Sequence, residues 1–180
     1  MPKSSDPSGA LPRLPIHEIQ PTPTILRKWR LQLWSATVIL VRHADIAAGG
    51  GSDPALSPAG VTRADLLAHI LRDAGLSAVF VTATQRSVQT GTPSAQMAGI
   101  ATTQYAALDA AALAAAIRSG HSGSCVLVVA HSNTVDDIAA ALGAPGVGEL
   151  SEGQFDRMFV MTRTWCGTRT VRMRYGAPTP

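Results

Sequence analysis

The chain has 180 residues, 46% hydrophobic, 15% charged and 4% aromatic, with a formal net charge of +3. This is enough for one domain with a sizeable core, and the hydrophobic content excludes a disordered chain. No apolar stretch reaches the ~18 residues of a membrane span, and no basic stripe interleaved with aromatics points to nucleic acid.

Residues 1–35 hold Pro2, Pro7, Pro12, Pro15, Pro21 and Pro23. No helix or central strand accommodates that spacing, so an extended or mobile arm is expected ahead of a single domain over 36–176. Arg27-Lys28-Trp29-Arg30 and the apolar run after it imitate a signal peptide, but they lie far from the start and lead into Arg42-His43. With no targeting pattern, a cytoplasmic location is expected. The basic charge sits at the ends. Residues 1–36 and 151–180 each carry five basic and two acidic residues, whereas 37–150 carry five basic and eight acidic.

A β-branched run over 36–42 reads as a buried strand. Ser57 followed by Pro58 marks a helix start, serine as N-cap and proline in the first turn. That helix is expected to run to Ala74 and stop at Gly75, with Val61, Ala64, Leu67, Ala68 and Leu71 facing inward. A second buried strand covers 78–82. Residues 84–98 are helical in pattern, with a kink or break expected at Gly91 and Pro93. Asp109 caps an alanine-rich helix over 110–119, a strand follows at 124–130, and a short helix covers 134–142. The last two runs, 158–165 and 169–174, form a hairpin through Cys166-Gly167-Thr168, with Arg172 and Arg174 as solvated edge charges. Alternation of strand and helix predicts a three-layer αβα sandwich, an α/β domain with a mostly parallel sheet and an antiparallel C-terminal hairpin. Cys125 and Cys166 lack CxxC spacing and are expected to be buried free thiols, which suits a reducing compartment.

In open parallel sheets ligands bind outside the carboxyl ends of strands. Arg42 and His43 end the first predicted strand, His131 ends the third, and Arg86 opens the helix after the second. Two guanidiniums and two imidazoles in one crevice make an anion site, and planar bidentate donors suit phosphate. An imidazole is mostly neutral at pH 7, and arginine neighbours oppose its protonation, so one histidine stays available as a nucleophile. His43, Asp45 and His131 include metal-ligand types, but Arg42 and Arg86 would repel a cation, so neither metal nor cofactor is expected. His17, His69 and His121 fall in the arm, on a helix and in a loop, where solvated or structural roles are expected.

These residues carry a resemblance. Val41-Arg42-His43-Ala44-Asp45 is similar to the RHG/RHA motif of the histidine phosphatase, or phosphoglycerate mutase-like, superfamily. Leu56-Ser57-Pro58-Ala59-Gly60 resembles its LSxxG helix start. Thr82-Ala83-Thr84-Gln85-Arg86-Ser87-Val88-Gln89-Thr90 resembles its S/T-P-x-x-R-x-x-Q/E-T segment, and Val129-Ala130-His131-Ser132-Asn133 its V-x-H-S/G-N segment. The four occur in order between about 37 and 175. The resemblance implies a phosphoglycerate mutase-like fold and a phosphatase in which His43 attacks phosphorus, water hydrolyses the phosphohistidine, and Arg42, Arg86 and His131 hold the phosphoryl oxygens. Short connections resemble the small, capless SixA-type branch, whose opening also reads RH-x-D. A phosphorylated small molecule or a phosphohistidine protein is the implied partner.

The departures are Ala44 for glycine, Ala83 for proline, Ser132 where the acid-phosphatase branch has aspartate, and no clear general acid. Asp45 is the favoured acid, with Asp109, Asp136 and Asp137 as alternatives. A protein on the same fold that binds phospho-ligands with weak catalysis is the competing reading.

Overall fold

The structure, a computed structural model, describes residues 36–49, 51–164 and 166–180. The expected arm over 1–35, His17 within it, and the signal-like segment lie outside the described residues. Six strands, β1 (Ala36–Arg42), β2 (Leu76–Val81), β3 (Thr102–Gln104), β4 (Cys125–Ala130), β5 (Arg157–Thr164) and β6 (Gly167–Arg174), form one sheet in the order β3-β2-β4-β1-β5-β6. The β3-β2, β2-β4 and β4-β1 pairs are parallel, while β5 runs antiparallel to β1 and β6 antiparallel to β5. The helices are α1 (Pro58–Leu71), α2 (Gln85–Met97), α3 (Ala110–Gly120) and α4 (Val135–Ala141).

Strand alternation sorts the core into two halves. Val38, Leu40, Val126 and Val128 pack with Leu113 and Ile117 of α3 and Ile138 of α4. Ile39, Val41, Leu127 and Val129 point the other way, onto Leu67 and Leu71 of α1 and Ala95 of α2. Helices therefore cover both faces, and the expected three-layer α/β sandwich is what the chain forms. The central stretches, Val38–Val41 of β1 and Val126–Ala130 of β4, are apolar because neither face meets water there.

Ser57 caps α1 through its side chain, which accepts from the Gly60 amide at 3.1 Å. The helix ends at Leu71 rather than Ala74, where i to i−3 bonds such as Ala74 N–H to Leu71 C=O tighten the chain ahead of Gly75. Its inward stripe also differs. Val61 is half exposed, and Gly60 and Arg63 take the buried places instead. Gly60 is obligatory: a Cβ there would overlap the Asp45 carbonyl, which accepts from the Ser57 amide at 2.9 Å.

α2 runs unbroken through Gly91 and Pro93. Of the expected kink or break, the break does not occur, and Gly91 lets the helix settle on the sheet. A Cβ there would stand 2.6 Å from a Val81 methyl and 3.0 Å from one of Val79. β3 is three largely exposed residues held by pairing to Val79–Val81, and no sequence pattern announced it. The hairpin turns earlier than expected, with Thr164 opposite Gly167, so Gly167 and Thr168 belong to β6. Cys125 is half-buried and Cys166 exposed, both free; the buried reading fails for Cys166, which sits at the hairpin tip beyond the core. Arg172 and Arg174 are both exposed as expected, and Arg174 also pairs at 2.9 Å with the buried Asp156. Asp156 also accepts from the Thr179 hydroxyl at 2.8 Å, so the chain beyond 176 stays on the body. Among the described residues, no helix is long and apolar enough to cross a membrane.

Candidate active site

Adjacency of β1 and β4 builds the site. Arg42 stands opposite Ala130 in the parallel register, and the His43 amide donates to the Ala130 carbonyl at 2.9 Å. Each strand thus delivers its histidine one residue past its end, and the two rings meet edge to face with centroids 5.3 Å apart. A cleft of about 700 Å³ opens there, lined among others by Arg42, His43, Arg86, His131, Glu152 and Phe155. Four of the five site residues expected from sequence converge: Arg42, His43, Arg86 and His131.

The side chains are held individually. His43 Nδ1 lies 2.9 Å from the Ala44 carbonyl. A carbonyl only accepts, so Nδ1 carries the proton and Nε2 of the neutral ring keeps a free lone pair. His131 Nε2 shares a hydrogen bond of 3.0 Å with the Thr82 hydroxyl. Burial pushes His43 down to about 3, helped by the charges of Arg42, His131 and Arg86 and opposed by the Ala44 carbonyl. Burial also lowers His131, to about 4, with Arg86 and Arg42 acting in the same direction. Both imidazoles are neutral at pH 7.

Arg42 is 5% exposed. One of its amino groups, Nη1, donates to the Ser151 and Glu152 carbonyls, both at 2.7 Å. Its guanidinium lies 4.3 Å over the Phe155 ring, whose other neighbour is the His43 ring at 5.9 Å. No carboxylate contacts it among the described residues. Arg86 pairs loosely with Asp53 at 3.3 Å, and Asp53 spends its oxygens on the Gln85 amide at the start of α2.

α2 also explains the residues around Arg86. The Thr90 hydroxyl donates to the Arg86 carbonyl at 2.7 Å and accepts from the Ala44 amide at 2.9 Å, tying the helix to the loop behind His43. Gln89 accepts from the Leu56 amide at 2.8 Å, and Ser87 accepts from the Thr82 amide at 2.9 Å. One helix face therefore fixes the ends of β1 and β2 and the entry to α1.

The fifth expected residue, Asp45, is elsewhere. It pairs with the buried Arg63 at 2.7 Å and is not among the residues lining the cleft. Asp109 caps α3 by accepting from the Ala112 amide at 2.8 Å. Asp136 accepts from the Gly148 amide at 2.9 Å, and Asp137 is exposed on α4. Neither lines the cleft. His69 is exposed, and His121 shares a hydrogen bond with Ser77 far from the site. No group of three or more His, Cys, Asp or Glu is placed to hold a metal ion among the described residues.

Glu152 and Phe155 were missed by sequence reasoning because their segment has no periodicity. A topological signal was available. β5 runs antiparallel to β1, so the loop entering it must cross the carboxyl end of β1 beside Arg42.

Comparison with known proteins agrees with this architecture. The model of the histidine phosphatase superfamily (branch 1) matches residues 38–111, which include Arg42, His43 and Arg86. No match is found among curated protein sequences. Among solved structures, the protein histidine phosphatase SixA complexed with tungstate superposes with a TM-score of 0.61 at 21% identity, covering 77% of this chain and 96% of that one. A mycobacterial glucosyl-3-phosphoglycerate phosphatase gives 0.58 at 15% identity, over 80% of this chain and 100% of that one. The Bacillus stearothermophilus protein YhfR gives 0.57 at 16%, over 70% and 90% respectively.

Proposed function

We propose that the chain is a member of the histidine phosphatase superfamily, whose model matches residues 38–111, and that it is a phosphatase working through a covalent phosphohistidine on His43, without a metal. The observation that carries this reading is the His43 ring: neutral, fixed by the Ala44 carbonyl, and set in a cleft beside two guanidiniums.

In the proposed reaction the Nε2 lone pair of His43 forms the bond to phosphorus in line with the departing group. Arg42, Arg86 and His131 bind the equatorial oxygens, whose charge spreads in the transition state. A preorganised cationic clamp is the main source of rate for such a step, since phosphate monoesters are among the slowest substrates to hydrolyse unaided. Water then attacks phosphorus, the P–N bond breaks, and orthophosphate leaves. The Ala44 carbonyl keeps the ring oriented through both steps.

The substrate class is a phosphate monoester or the phosphohistidine of a protein. Support comes from the tungstate complex of SixA, since tungstate, like phosphate, is a tetrahedral oxyanion, and from the open cleft with Leu108 exposed on its rim.

The test is hydrolysis of para-nitrophenyl phosphate and of a phosphohistidine protein in excess chelator. Turnover is expected to persist with the chelator and to vanish in His43→Ala, and acid quenching with mass mapping should find the phosphoryl group on His43. Loss of activity with the chelator excludes the metal-free reaction. Full activity in His43→Ala excludes the covalent route. Binding of orthophosphate without release from any substrate would favour a phospho-ligand-binding protein on the same fold.

A further inference from the structure

The proposed reaction lacks a proton donor for an oxygen leaving group. The geometry points to Glu152, on the loop entering β5, as the general acid of the His43 reaction; this inference rests on the phosphatase reading above.

Among the described residues that line the cleft, Glu152 is the only carboxylate. The other acids nearby are engaged. Asp45 is bound to Arg63, Asp53 to the Gln85 amide and Arg86, Asp109 to the Ala112 amide, and Asp136 to the Gly148 amide. Among the described residues the Glu152 carboxylate makes no hydrogen bond or ion pair of its own, and its charge acts on Arg42 across the cleft lining.

Its backbone is fixed where the chemistry needs it. The Glu152 and Ser151 carbonyls accept from Arg42, Gln154 takes the Ser151 amide at 3.1 Å, and the Leu150 amide donates to the Ser132 carbonyl at 3.3 Å. The acid therefore sits on a loop clamped to a phosphate-binding residue on one side and to the His131 loop on the other. The lining residues between β3 and α3, Ala107 and Leu108, carry no titratable group.

The charged and titratable groups facing it are Arg42 and His43 from the end of β1, Arg86 from α2 and His131 from the end of β4. In the first step the His43 nitrogen forms the N–P bond, the P–O bond to the leaving group breaks, and that oxygen takes the Glu152 proton. In the second step the Glu152 carboxylate accepts a proton from water as the water oxygen bonds to phosphorus. The P–N bond then breaks, its pair returns to His43, and Glu152 is again protonated.

A general acid contributes about 10²–10⁴-fold where the leaving group needs a proton and little where it does not. Glu152→Gln should lose about that factor on an alkyl phosphate, lose far less on para-nitrophenyl phosphate, and flatten the basic limb of the alkyl-phosphate pH profile. Glu152→Asp should recover part of the alkyl rate, and Glu149→Gln, an exposed acid outside the cleft, should leave both rates unchanged. Equal losses on both substrates, no loss on either, or the leaving-group pattern appearing in His131→Asn instead would overturn the assignment. A wild-type protein that forms no phospho-His43 would fail the phosphatase reading itself, a result separate from any of these.

Discussion

Two buried arginines near the end of β1 are used in opposite ways. Arg63 is 4% exposed and satisfied on every side: Asp45 at 2.7 Å, the Tyr175 carbonyl at 2.8 Å and the Ala177 carbonyl at 3.0 Å. Arg42 is 5% exposed but held by two neutral carbonyls and an aromatic face, with its Nε unpartnered among the described residues. A carboxylate cancels charge at close range, whereas a carbonyl fixes geometry and leaves the charge to act on whatever arrives. Arg63 therefore closes the fold by joining α1, the β1 loop and the C-terminal segment. Arg42 makes no such pair and lines the cleft instead.

The largest expected effect breaks the comparison on the Arg42 side. Arg42→Met should lower kcat/KM for para-nitrophenyl phosphate by about 10²–10³-fold, the scale of losing one preorganised donor, while urea denaturation shifts by less than about 1 kcal/mol because no carboxylate is left unpaired. Arg63→Met should do the reverse. Stability falls by about 3 kcal/mol, the low end for a broken buried pair because Asp45 retains some water, and activity per folded molecule drops less than tenfold. If both variants lose activity and stability together, the two arginines are not divided as described.

The glycines sharpen the same division at smaller scale. A Cβ on Gly60 meets backbone, the Asp45 carbonyl, which cannot yield without moving the loop that Arg63 anchors. A Cβ on Gly91 meets valine methyls, which can turn. Both Gly→Ala changes should destabilise, within the roughly 1–3 kcal/mol of overpacking, with Gly60→Ala the larger and partly offset in Gly91→Ala by alanine's better helix propensity. Thermal melts of the two variants rank them.

This contrast also marks what the sequence could and could not reveal. The ends of β1 and β4, the Ser57 cap and the cleft-lining set Arg42, His43, Arg86 and His131 were legible, because a buried strand has a composition and its carboxyl end has a meaning. Arg63 was not. Sequence places it mid-helix, one position from a stripe that takes Val61, and only the returning C-terminal segment shows that it is buried. Asp45 looked like a catalytic acid because its proximity to His43 in sequence was visible and its pairing with Arg63 was not. Helix α2 overrode the Gly91 and Pro93 signals because tertiary packing outweighs local propensity. β3 has no pattern of its own, and Glu152 lies in a loop that only sheet topology brings to the cleft.

The smallest expected effect is on the histidines. Burial, with Arg42, His131 and Arg86 adding to it, holds His43 at about 3, and burial with Arg86 and Arg42 holds His131 at about 4, against 6.5 for a free imidazole. Below pH 6.5 the unfolded chain binds a proton at each ring and the native protein does not, so acid favours unfolding through the window from about 6.5 down to 4 and then 3. Stability at these sites is thus fully present above 6.5 and lost as pH falls through that window. Arg42→Met removes one contribution to both depressions. Both rings should then titrate at higher pH, still below 6.5 because burial remains, and the acid slope of stability should become shallower. Arg63, whose charge is neutralised by Asp45, should leave both titrations in place when replaced by Met. NMR titration of the imidazole carbons in the two variants decides between them: a rise in both, or in neither, would mean that the Asp45 pairing does not set Arg63 apart from Arg42.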